Sequence, residues 1–226
     1  MHRRCVFVVA IGVASFAAAG QTTVREQQFA LATPSGLRLH GVAASAATHQ
    51  GHPAVRLVNT ADFAGEGYAA VEGPALQDGT IEVDVAGRPL TGASEGARGF
   101  IGVAFRLRAD DSAFECFYIR PTNGRADDQL RRNHSTQYIS EPGFPWQKLR
   151  AESPGVYESY VDLVTGEWTH LRVRFIGKRA QLYVNRAPQP VLIVNDLKQS
   201  PAAGSVALWI GSETEGFFRN LKVIVD

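Results

Sequence analysis

"EWTHLRVRFIGKRAQLYVN", residues 167–185, decides how this chain folds. Leu171, Val173 and Phe175 alternate with Arg172 and Arg174, the period of a strand with one face buried and one face wet. Gly177 and Lys178 then interrupt the run, and Ala180, Leu182 and Val184 resume it, so the stretch predicts an antiparallel hairpin turning at Gly177 and Lys178.

The same period extends along the chain in both directions. "GLRLHGV" and "PAVRLVN" come first, with Leu37, Leu39, Val55 and Leu57 at period two. "GTIEVDVAG" sets Ile81, Val83 and Val85 on one face and Glu82 and Asp84 on the other. "GFIGVAFRLRADDSAFECFYIRP" predicts two long strands meeting at the turn "ADDS", with Cys116 a core residue between Phe114 and Tyr118. "GVYESYVDL", "PVLIV", "GSVALWIG" and "GFFRNLKVIVD" complete the set. Hardly any window shows helical spacing, so the fold class is all-β, with two antiparallel sheets packed face to face.

Of the 226 residues, 45% are hydrophobic, enough for one sizeable core. "MHRR" followed by "CVFVVAIGVASFAAAG" has the basic, apolar and small-residue parts of an export signal, with cleavage expected after Ala19 or Gly20. The expected organisation is a signal at 1–20, a leader or edge segment at 21–35 and one sandwich domain at 36–226. The mature chain is then free of a membrane span and is expected in the periplasm or outside the cell. Loss of Arg3 and Arg4 leaves 21 basic and 22 acidic residues, a balance without the basic stripe that nucleic acid requires. Cys5 departs with the signal, so Cys116 has no partner for an internal disulfide.

"GEWTHLRVRFIGKRAQLYVN" resembles the Trp, strand, Gly-turn, "LYVNG" hairpin of laminin G-like and concanavalin A-like jelly-roll domains. The order "GTIEVDV", "IGVAFRL", this hairpin, "GSVALWI" and "FFRNLKVI" is similar to the secreted bacterial 3-keto-disaccharide hydrolase family, over roughly residues 36 to 226. The resemblance implies a two-sheet jelly roll and a domain that binds or cleaves saccharides. Arg186 departs from it, standing where the hairpin motif usually has Gly.

Several constellations invite chemistry. Glu82 and Asp84 match the first two carboxylates of the strand motif of family 16 glycoside hydrolases, but Ala86 and Gly87 stand where the third belongs, and a solvated strand face is expected instead. "GASEG" fits a nucleophile elbow in letters only, because Ser94 lies in a Gly-rich loop between strands and not before a helix. His49 and His52 lack a third metal ligand and read as loop residues. Asp127 and Asp128 lack the spacing of a calcium loop, so no metal and no cofactor is assigned.

The polar segment "RPTNGRADDQLRRNHSTQY", residues 120–138, reads as a long loop leaving a buried strand. A saccharide needs planar groups that donate and accept, plus aromatic platforms for its ring faces. Arg120, Asn123, Arg125, Gln129, Arg132, Asn133 and His134 offer the first; Tyr138, Trp146, Tyr157 and Tyr160 offer the second. For these to converge, the segment must fold back over the sandwich, with Arg120 as anchor or, alternatively, as a structural clamp. Glu158 and Asp162 are the catalytic candidates, placed beside Tyr160 on one expected strand face. Three functions are carried forward: saccharide binding, hydrolysis or lysis of a (3-keto-)glycoside, and a laminin G-like protein-interaction module.

Overall fold

The structure is a computed structural model that describes residues 25–60 and 65–226; the expected export signal lies outside the described residues. Among the described residues, no helix is long and apolar enough to cross a membrane. Two antiparallel sheets stack as a jelly-roll sandwich. The first has β1 (Arg25–Phe29), β3 (Val42–His49), β4 (His52–Asn59), β6 (Gly79–Pro89), β11 (Thr169–Ile176), β12 (Arg179–Val184), β13 (Leu192–Val194) and β15 (Thr214–Val225). The second has β2 (Leu37–His40), β5 (Gly67–Val71), β7 (Ile101–Leu107), β8 (Phe114–Ile119), β9 (Thr136–Glu141), β10 (Glu158–Ser159) and β14 (Ser205–Ile210).

The hairpin of residues 167–185 is β11 and β12, paired from Leu171 with Val184 to Ile176 with Arg179. Leu171, Val173 and Phe175 are buried, and β6 sets Val83 and Ile81 beside the first two. The Phe175 ring meets Phe105 of β7 at 4.4 Å, which joins the sheets and identifies the inner face of β7. Gly177 turns the hairpin with φ +56. At the far end of β12, Arg186 takes φ +59, so the backbone expected of glycine there is kept by a residue that strains to adopt it.

Phe105 pairs with Glu115, so Glu115, Phe117 and Ile119 of β8 face the sandwich interior, while Phe114, Cys116 and Tyr118 line the outer face of that sheet. That outer face is itself buried, with Cys116 and Tyr118 no more than 1% exposed. Part of its cover is α2 (Trp146–Glu152), which packs on β9.

Four expectations are corrected. The segment 120–138 is not a loop throughout: a 3-10 turn at Pro121–Asn123 and a short helix, α1 (Gln129–Asn133), lead into β9. β9 hid from the sequence because both of its faces are buried, so polarity does not alternate. "GVYESYVDL" pairs only at Glu158 and Ser159, since β9 begins at Thr136 and offers no backbone partner beyond Ser159. His49 and His52 are no loop pair; they face each other at the end of the β3–β4 hairpin, and His49 stacks on Phe217 at 4.1 Å.

Candidate functional site

Arg120 follows directly on β8, one position past Ile119, and carries the outer row of that strand onward. Its guanidinium is fixed: Nη1 donates to the His134 carbonyl at 3.0 Å, and Nη2 donates to the Tyr118 hydroxyl at 2.9 Å and to Gln137 Oε1 at 3.1 Å. Asn123 Nδ2 donates to the same His134 carbonyl at 3.2 Å. These bonds bind the 3-10 turn to the start of β9, so the segment folds back over the sheet instead of projecting. Gly124 allows the next approach, since a Cβ there would lie 2.4 Å from the Leu163 backbone nitrogen. Asp128 then caps α1, its Oδ1 accepting from the Arg131 backbone N–H at 3.0 Å.

Around Arg120 lies a cavity of about 200 Å³ walled by Arg98, Phe100, Asn123, Arg131, His134, Trp146 and Arg150. The guanidiniums of Arg120 and Arg150 lie over the Trp146 ring, 5.7 and 4.6 Å from its centroid. A second cavity, of about 750 Å³, shares His134 and Arg150 and adds Asn133, Glu158, Ser159 and Tyr160. Glu158 closes the boundary between them: Arg150 donates to it at 2.7 Å, and His134 Nδ1 lies 2.7 Å from Oε2. Burial lowers the His134 pKa, and the Arg150 and Arg120 charges add to this against the pull of Glu158.

The structure brings Arg120, Asn123, Asn133, Trp146, Glu158 and Tyr160 into these two adjoining walls. The other candidates lie elsewhere. Tyr138 is in the sandwich interior, its hydroxyl donating to Glu115, and offers no ring face to a ligand. Tyr157 is likewise buried, donating to Asp196 at 2.6 Å. Arg125 grips Asp162 through two 2.8 Å bonds on the surface, Gln129 bonds Asn133 at 2.8 Å, and Arg132 covers the Tyr160 ring at 5.0 Å. Glu158 is buried and Asp162 exposed, so the two do not share a strand face. The Asp162 carboxyl is held below its ordinary value by the hydrogen bonds from Arg125.

Sequence reasoning missed the walls contributed by Arg98, Phe100, Arg131 and Arg150. It also missed Glu66, which precedes β5 and whose charge acts on Tyr118 of the outer face. Burial, and after it the charge of Glu141, pushes the Glu66 carboxyl up to about 7; burial raises Glu141 as well.

Asp84 is a further correction. It is 8% exposed and not part of a solvated face, with His170 Nδ1 2.9 Å from Oδ1 and Asn220 and Arg219 donating to Oδ2 at 2.9 and 3.2 Å. The irregular register of β15 between Arg219 and Lys222 lets both side chains reach one carboxylate. Burial alone would raise the Asp84 carboxyl, but the bonds from His170 and Asn220 and the charges of His170 and Arg219 outweigh it and hold it at about 2. His170 and Glu82 line a cavity of about 520 Å³ with Asp84.

No protein-family model matches this sequence, and neither does the sequence of any curated protein. Among solved structures, the chain is similar to a protein of unknown function with a galectin-like fold from Bacillus subtilis, at 9% identity over 88% of this chain and 96% of that one, with a TM-score of 0.56. It is also similar to the carbohydrate binding module CBM66 from Bacillus subtilis, at 14% identity over 82% of this chain and 96% of that one, TM-score 0.51. The exoplasmic/lumenal domain of VIP36 in its Ca2+-bound form aligns at 12% identity over 81% of this chain and 82% of the other, TM-score 0.50. At these identities the likeness is one of fold: the chain has a concanavalin A-like jelly-roll fold.

Proposed function

We propose that this chain is an exported saccharide-binding jelly-roll domain whose ligand lies in the paired cavities at the end of β8. The observation that carries the reading is the convergence of rigid hydrogen-bonding groups and an aromatic platform. Arg120 and Asn123 are clamped by the backbone beneath them, while Phe100 and Trp146 wall the same cavity. A pyranose or furanose ring offers that wall an apolar face and offers the polar side chains its hydroxyls. The fold supports the reading, because one structure of the same architecture is a carbohydrate binding module. Export rests on the expected N-terminal signal.

Isothermal titration of the purified chain against an oligosaccharide panel, with Trp146→Ala alongside, tests this proposal. Binding that weakens at least ten-fold in the variant supports it. Absence of binding to every saccharide refutes it, and capture of a protein ligand instead favours the laminin G-like reading.

One observation favours hydrolysis as the second reading. Burial raises the Glu66 carboxyl to about 7, the range a general acid needs, although Glu66 lines neither cavity. Glu158 and Asp162 suit the role less well, since arginines already occupy both carboxylates. Turnover of 3-keto-glycosides that disappears in Glu66→Gln supports hydrolysis; binding without turnover leaves the domain a binding module.

A further inference from the structure

We infer that the ligand of this cleft is an acidic saccharide, whose carboxylate or sulfate group enters the smaller cavity among Arg98, Arg120 and Arg131 while its rings continue into the larger one. The inference rests on the saccharide reading and names the class of sugar.

Its basis is an imbalance of charge. Four guanidiniums wall a cavity of about 200 Å³. Among the described residues, no carboxylate lies within ion-pair distance of Arg98, Arg120 or Arg131, and Glu158 pairs with Arg150 alone of the four. Several arginines elsewhere do have acids: Arg38 has Asp111, Arg125 has Asp162, and Arg56 and Arg88 share Glu215 at 2.6 and 2.5 Å. Even the buried Arg106 has Asp78 at 3.2 Å.

The deficit falls where it costs most. Arg120 is 4% exposed, and the carboxylate charge that reaches it, that of Glu158, is already bonded by Arg150, so this buried cation is left short of an opposite charge. Arg131 Nε is buried with no hydrogen-bond partner, an open donor at the cavity wall. Arg98 spends Nη1 on the carbonyls of Glu95 and Ala97, which fixes the guanidinium without neutralising it. Burial and the neighbouring Arg131 and Arg120 charges all lower the Arg98 pKa, as expected of cations held together without an anion. A planar carboxylate or a sulfate supplies the missing charge and accepts from the guanidinium forks, which a neutral hydroxyl cannot match.

The test is titration of the full mature chain with matched neutral, uronate and sulfated oligosaccharides, and with sodium acetate and sodium sulfate as simple anions. The inference predicts at least ten-fold tighter binding of one acidic series than of the neutral series, weakening as salt rises from about 0.05 to about 0.5 M. The uronate and sulfate arms identify which anion is preferred. Arg131→Met should narrow the ratio of acidic to neutral affinity at an unchanged melting temperature, and Arg98→Met should narrow it too, its melting temperature lowered by the loss of its bonds to Glu95 and Ala97. Equal binding of neutral and acidic sugars, or a ratio unmoved by both substitutions, overturns the inference and leaves the saccharide reading standing. Binding of simple anions with no saccharide bound overturns both.

Discussion

Replacing Glu66 by Gln should change the pH dependence of stability in a way fixed by the position of this side chain. In the unfolded chain its carboxyl titrates at 4.5, and in the folded chain at about 7. The folded state therefore keeps a proton that the unfolded state releases across this window, and linkage makes stability fall as pH rises through it. Each tenfold difference in acidity between the two states is worth about 1.4 kcal/mol, so the full displacement amounts to about 3 kcal/mol above pH 7. Gln cannot ionise and is free of that cost. The variant should match the native chain near pH 4.5 and exceed it by about 2 to 3 kcal/mol at pH 8, roughly 4 to 12 °C in Tm for a domain of this size. Glu141 and Glu115 are also raised by burial, so the variant should retain a shallower slope of the same sign. Urea unfolding at pH 4.5, 6 and 8 measures the difference. Parallel profiles for the two proteins would refute the burial of Glu66.

Asp84→Asn should lose about 2 kcal/mol at neutral pH, because the folded carboxyl at about 2 lies below its ordinary 3.8. The native chain should lose the same increment as pH falls from about 4 to 2, and acid unfolding monitored by circular dichroism reads it. Arg120→Ala loses three hydrogen bonds to neutral acceptors but also removes a buried cation, so it should destabilise by no more than about 1 to 2 kcal/mol, with binding lost as well; Asn133→Ala, at an exposed wall, should weaken binding at unchanged Tm. A lower Tm for Arg120→Ala with full affinity in the folded fraction would make Arg120 a clamp alone. Arg186→Gly should raise stability by about 0.5 to 1 kcal/mol by relieving a left-handed backbone, as thermal unfolding would report.

The strands with one wet face were legible because their polarity alternates, the β11–β12 hairpin most clearly; β6 was legible by the same alternation although Asp84 on its outer face is buried. β3, "VAASAATH", escaped because alanine and serine give no contrast between faces, and β9 escaped because both of its faces are buried. Of the site, Arg120, Asn123 and Trp146 could be read from composition near a strand end. Arg98 and Arg150 could not, since they come from separate segments that meet only in the fold. Arg131 lies inside the polar stretch, but only the phase of α1 turns it to the smaller cavity while Arg132 covers Tyr160. Asp84 shows the reverse failure: the sequence reveals a carboxylate at period two but not that an irregularity in β15 delivers Arg219 and Asn220 to it.

The central claim, that a saccharide lies in the paired cavities at the end of β8, is tested most directly by a crystal structure of the chain with its best-binding oligosaccharide from the titration panel. The account predicts the sugar against Trp146 and Phe100, within hydrogen-bonding distance of Arg98 or Arg131. A sugar seated instead in the cavity of Asp84 and His170, or along a sheet edge away from Trp146, would contradict it.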